Sequence, residues 1–133
     1  MSPERKIRKE LQQVGSTEYT VMIDLRLPDR FALEAPSHHN RLHVSFENNE
    51  GKTERQGHII RENPEFPVGI PVRSKGEGAV IYVDYEFRYR DSTDPEALFQ
   101  TRIHYEIPVE VKENGSDEVK LSEQLPLDEL EAV

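Results

Sequence analysis

Apolar and polar residues alternate with a period of two through most of the chain. Tyr19, Val21, Ile23, Leu25 and Leu27 alternate with Glu18, Thr20, Met22, Asp24 and Arg26, and Pro28 ends the run. This pattern sends one set of side chains to a buried face and the other to water, so it predicts a strand. Leu42, Val44 and Phe46 alternate in the same way with Arg41, His43, Ser45 and Glu47. The Asn48-Asn49-Glu50-Gly51 stretch then reads as a hairpin turn, with a partner strand through His58 to Arg61. Phe66, Val68, Ile70 and Val72 share a face while Pro67, Gly69 and Pro71 take the alternate positions. Proline cannot donate to a ladder, which assigns this segment to a sheet edge or to an extended connection between sheets.

The longest alternation follows a turn at Gly76-Glu-Gly78. Ala79, Ile81, Val83, Tyr85, Phe87 and Tyr89 face one way, and Tyr82, Asp84, Glu86, Arg88 and Arg90 the other. After the turn-rich stretch 91–96, Phe99, Thr101, Ile103, Tyr105, Ile107, Val109 and Val111 form the inner face of a returning strand. These two strands are predicted to pair antiparallel at the centre of the fold. An Asn114-Gly115 turn leads to a final short strand around Val119 and Leu121.

The two ends read differently. Over residues 2–14, Ser2 suits an N-cap, Pro3 the first helical position, and Ile7, Leu11 and Val14 one helical stripe, with Gly15 as the stop. This predicts a short basic helix or arm over 1–16, carrying Arg5, Lys6, Arg8 and Lys9. At the other end, 122–133 is acidic, with Leu125, Leu127, Leu130 and Val133 spaced as an amphipathic stripe. Between them lies one domain over 17–121. The segment 28–40 has two prolines, and Phe31 and Leu33 are expected to plug one end of the core. The predicted class is all-β, an antiparallel immunoglobulin-like β-sandwich of about seven strands with short flexible or helical termini. A small barrel is the alternative.

Composition narrows the possibilities. Val, Ile, Leu and Phe make up about a quarter of the 133 residues, enough for one modest core. The formal charge of −9 argues against a nucleic-acid backbone or an anionic membrane as partner. The absence of cysteine removes disulfides, thiolate ligands and dithiol redox chemistry. With charged first residues and no long apolar run, the chain reads as cytoplasmic.

Candidate chemistry is sparse. His38, His39 and His43 hold metal-ligating imidazoles. On an extended chain, however, His39 and His43 lie roughly 13 Å apart, too far for one ion unless the loop folds back. Solvent-exposed histidines are the simpler expectation, and no cofactor is predicted. Ser37 beside His38, with Asp29 upstream, has the residue types of a nucleophilic triad but no nucleophile elbow. Asp84 and Glu86, close to Arg88 and Arg90, read as a solvated face with cross-strand ion pairs.

Three stretches carry a family resemblance. Leu25-Arg-Leu-Pro-Asp-Arg-Phe-Ala-Leu-Glu-Ala-Pro-Ser37, Phe66-Pro-Val-Gly-Ile-Pro-Val72 and Ile103-His-Tyr-Glu-Ile-Pro-Val-Glu-Val111 resemble the C-terminal β-sandwich of thioredoxin-like NHL-repeat proteins. That domain is itself similar to the N-terminal immunoglobulin-like domain of bacterial thiol:disulfide interchange proteins. The resemblance implies an accessory sandwich. The cysteine pair that such domains carry on the long strands is missing here, so it implies no redox activity.

The reading that follows is a non-catalytic protein-interaction or accessory module. It binds a protein partner, or a second copy, through a sheet edge or the termini, with Leu125, Leu127, Leu130, Phe66, Val68 and Ile70 as candidate contacts. The alternatives are a small-ligand or metal-binding, even hydrolytic, domain built on the 28–43 loop, and a structural oligomer-forming subunit.

Overall fold

The computed structural model describes residues 4–48, 56–74, 76 and 78–127. These form ten strands in two sheets: β1 (Glu4–Arg8), β2 (Gln12–Val14), β3 (Glu18–Arg26), β4 (Phe31–Leu33), β5 (Arg41–Asn48), β6 (Gln56–Glu62), β7 (Val68–Arg73), β8 (Gly78–Asp91), β9 (Asp94–Val111) and β10 (Glu118–Gln124). No complete helix lies among the described residues. The larger sheet runs β1-β9-β8-β5-β6, with β2 also on β9 and β4 also on β8. The smaller runs β10-β3-β7. Both are built around the predicted alternations: β8 and β9 pair antiparallel from Gly78↔Glu110 to Arg90↔Leu98.

One cluster of buried side chains lies between the sheets. Val21, Ile23, Ile70 and Leu121 come from the smaller sheet, and Leu42, Ile81, Val83, Tyr85, Phe87, Ile103 and Ile107 from the larger. Phe31 plugs one end, its ring edge-on to Tyr89 at 5.3 Å. The β8–β9 hairpin tip is fixed by Asp91. Its Oδ2 accepts from Arg30 Nε at 3.0 Å and Nη2 at 2.5 Å, while its Oδ1 accepts from Thr93 N and Oγ1. The Arg30 guanidinium and the Thr93 amide hold the Asp91 carboxyl well below the usual carboxylate range.

The N-terminal helix is not formed. Residues 4–14 instead run along β9 as a parallel edge strand, with Ile7 opposite Tyr105 and Val14 opposite Val111. Seven steps along this strand match six on β9, so one extra residue bulges out between β1 and β2. In a regular strand an i, i+7 pair points to opposite faces; the bulge restores the parity and turns both Ile7 and Val14 to the core. Leu11, at the bulge, is 52% exposed. A helix this short gains little alone, whereas the β9 edge offers backbone partners to both β1 and β2. The Ser2 and Pro3 capping positions lie outside the described residues.

The sheets are also mixed rather than purely antiparallel, since β1 and β2 run parallel to β9 and β10 parallel to β3. After the long hairpin the chain crosses at Lys112–Asp117 to the smaller sheet, and a crossing of that kind admits a parallel neighbour where a tight hairpin does not. Gly115 permits the crossing: a Cβ there would stand 2.3 Å from the backbone carbon of Val14. Strand β10 extends to Gln124, and Leu125 and Leu127 are buried beyond it, so the start of the predicted tail belongs to the core. Leu130 and Val133, like the turns at Asn49–Gly51 and Glu77, lie outside the described residues.

Candidate functional site

The outward positions of the larger sheet line up in rows because the strands pair in register. Ile60, His43, Asp84, His104 and Lys6 occupy one row across β6, β5, β8, β9 and β1. The adjacent rows place Arg41, Glu86 and Arg102 on one side and Ser45, Tyr82 and Glu106 on the other. Charges of opposite sign therefore meet across strands, with Arg102 Nη2 2.9 Å from Glu86 Oε2 and Arg8 Nη1 3.2 Å from Glu106 Oε2. A shallow groove of about 510 Å³ runs over this face from Lys6 to Ile60.

Its floor is a chain of imidazoles and carboxylates. His104 is only 5% exposed although it points outward, with the Tyr82 ring stacked at 5.7 Å. Its Nδ1–H donates to Asp84 Oδ1, and its Nε2 stands 3.5 Å from Glu106 Oε1. The other Asp84 oxygen lies 3.8 Å from His43 Nδ1. On its far side His43 Nε2 meets His58 Nδ1 at 3.0 Å. The two rings are nearly parallel, 8° apart, with centroids at 5.2 Å. With the nitrogens so much closer than the centroids, the rings meet edge to edge through one N–H···N bond, which needs a single proton between them. Five side chains on four strands thus form His58–His43–Asp84–His104–Glu106.

A bulge positions the last histidine. Between Val44↔Ile59 and Phe46↔Gln56 the register of β5 and β6 shifts, so that Gly57 and His58 oppose Ser45 alone. Gly57 has φ +63°, a left-handed value, and a Cβ on it would stand 2.2 Å from Phe46 Cε1. Only glycine fits both demands, and its turn brings the following imidazole against His43.

The remaining candidate residues are dispersed. The His38 and His39 rings lie 4.1 Å apart on the β4–β5 connection, and His39 is disfavoured as a cation by desolvation and by Arg88 and His38 nearby. Among the described residues no three His, Asp or Glu side chains converge as metal ligands. Ser37 Oγ accepts from the His39 backbone N–H at 3.1 Å, and Ser45 Oγ is buried without a partner, so neither serine is paired with an imidazole. Ile70, Leu125 and Leu127 are core residues, while Phe66 and Val68 are half-buried, Phe66 edge-on to Tyr85 at 5.4 Å. Sequence reasoning passed over His58 and His104. Their outward parity on predicted strands was the available signal, but the register that joins them is tertiary. No protein-family model matches the chain, and no curated protein matches it by sequence.

The four sheet edges are unequal. On one side the two sheets are stitched together: Gln12 Nε2 donates to Lys120 O at 2.7 Å and Gln12 Oε1 accepts from Lys120 N at 2.9 Å. Backbone bonds Gly15 N to Ser116 O and Ser116 N to Gln13 O continue the seam, and Lys9 pairs with Glu123. This covers the edges of β2 and β10, while β1 beyond the seam carries the charged residues Arg5, Lys6 and Arg8. On the other side β7 carries Pro71, which has no N–H to offer. Strand β6 pairs only with β5, has no proline, and exposes Ile60 at 49%.

Proposed function

We propose that this chain is a non-catalytic interaction or accessory module, a β-sandwich of immunoglobulin-like arrangement that accepts a protein strand along β6. The observation that carries the reading is the inequality of the edges: among the described edge strands that are neither stitched to the other sheet nor interrupted by proline, β6 is the longest and exposes Ile60, whereas β1 carries Arg5, Lys6 and Arg8 and β4 is three residues long. A sheet edge of this kind binds an extended segment by main-chain hydrogen bonds, while side chains beside it supply selectivity. Here those neighbours are Ile60 and the imidazole–carboxylate groove. The resemblance to accessory sandwich domains agrees with this role.

The test is affinity capture by the intact protein and by an Ile60→Pro variant, with untagged copies of the chain and native lysate both present. Proline at an exposed edge position leaves the fold intact, which circular dichroism checks, but removes a donor and blocks pairing. A stoichiometric bound chain that is lost from the variant supports the reading. Capture insensitive to the substitution, or none by either protein, overturns it.

A further inference from the structure

Resting on the β6 reading, we infer that the strand accepted there is β6 of a second copy of this chain, paired antiparallel about a twofold axis at Ile60. Closed two-fold pairing needs a self-complementary edge. Centring the axis on Ile60 sets Ile60 against its own copy and His58 against Glu62 of the second copy, twice over. A shift by one residue loses this match. An axis at Ile59 opposes Ile60 to His58, and one at Arg61 opposes Ile60 to Glu62. The apolar contact covers a side chain that is 49% exposed in the single chain. The imidazole is well placed for the carboxylate, because His58 turns its Nδ1 toward His43 and so directs Nε2 to the ring's other side. Gly57 sets that orientation through its left-handed bulge. The result joins the two larger sheets and makes one groove continuous across the axis.

Sedimentation equilibrium from about 1 μM to about 1 mM, a range suited to a small edge-to-edge interface, measures the association. The intact protein is expected to approach twice its 15.4 kDa mass as concentration rises. His58→Glu faces Glu62 with a like charge, and Glu62→Lys faces His58 with a cation. Each variant alone is expected to dissociate about tenfold more readily, because symmetry repeats the altered pair. An equimolar mixture of the two restores association, since the carboxylate introduced at position 58 of one chain then meets the ammonium introduced at position 62 of the other, and the unaltered His58 meets the unaltered Glu62. An intact protein that stays monomeric, single variants that associate normally, or a mixture that stays dissociated each overturns the self-pairing. If the intact protein is monomeric yet captures a foreign chain that Ile60→Pro releases, only the self-pairing falls; if it captures nothing, the edge reading falls too.

Discussion

Replacing Tyr85 by Phe removes one oxygen atom from the centre of the protein and tests how the loops are held to the core. Tyr85 is fully buried on β8, and its hydroxyl donates to Asn40 Oδ1 at 2.7 Å. Asn40 is 1% exposed and carries the junction onward, its Nδ2 donating to Asn63 Oδ1 at 3.3 Å. Asn63 Oδ1 also accepts from Ser37 N at 2.8 Å, and Asn63 N donates to the Asn40 carbonyl at 2.8 Å. One buried phenol thus anchors both the 34–40 connection and the turn after β6. Its loss forfeits a hydrogen bond and strands a desolvated acceptor, which together cost about 2 kcal/mol. Tyr105 provides the control: it too is buried, but its hydroxyl has no partner. Burial is the main cause that pushes both phenols above their usual range, so burial does not distinguish them. Tyr105→Phe is therefore expected to be neutral or stabilising by up to about 1 kcal/mol. Urea denaturation of a single domain of this size reads both from the midpoint at unchanged slope. Equal destabilisation by the two substitutions would refute the reasoning, because the effect would then follow from the lost hydroxyl and not from its bond. A cycle with Asn40→Ala should return a coupling of about 1–2 kcal/mol.

Two further outcomes follow from the local geometry. Gly57→Ala must place a Cβ in a left-handed residue and against the Phe46 ring, so a loss of about 2–4 kcal/mol is expected in the same assay, and imidazole NMR resonances should show the His43–His58 hydrogen bond broken; a loss below about 0.5 kcal/mol would contradict the packing at the bulge. Asp91 is held ionised by Arg30 and Thr93, with a folded pKa below its unfolded value of about 3.9. Its contribution to stability is therefore complete above the unfolded value and disappears as pH falls through the folded one. The urea midpoint of the intact protein should exceed that of Asp91→Asn at neutral pH, and the gap should close from about pH 5 downward; a gap independent of pH would assign the substitution's effect to packing.

Period-two alternation settled the longer strands from β3 onward on its own, though not the three-residue β4, because burying one face of a pleated ribbon is a local rule that each segment obeys independently. The inward faces of β3, β5, β8 and β9, the proline edge at β7 and the plug at Phe31 were all legible for that reason. The end segments were not. Ile7, Leu11 and Val14 fit a helical stripe, and a strand with one bulged residue delivers Ile7 and Val14 to the core at the same spacing; only the vacant edge of β9 decides between them. Strand β10 lies parallel to β3 because the chain crosses between sheets, which no local pattern encodes. The groove was the least legible part. His43, Asp84 and His104 stand far apart in the chain and become neighbours through the registers of β5, β8 and β9, while His58 joins them because Gly57 breaks the regular register of β6. Alternation states which face a residue occupies; which residue stands opposite it is set by strand pairing, and the chemistry of this face consists of those pairs.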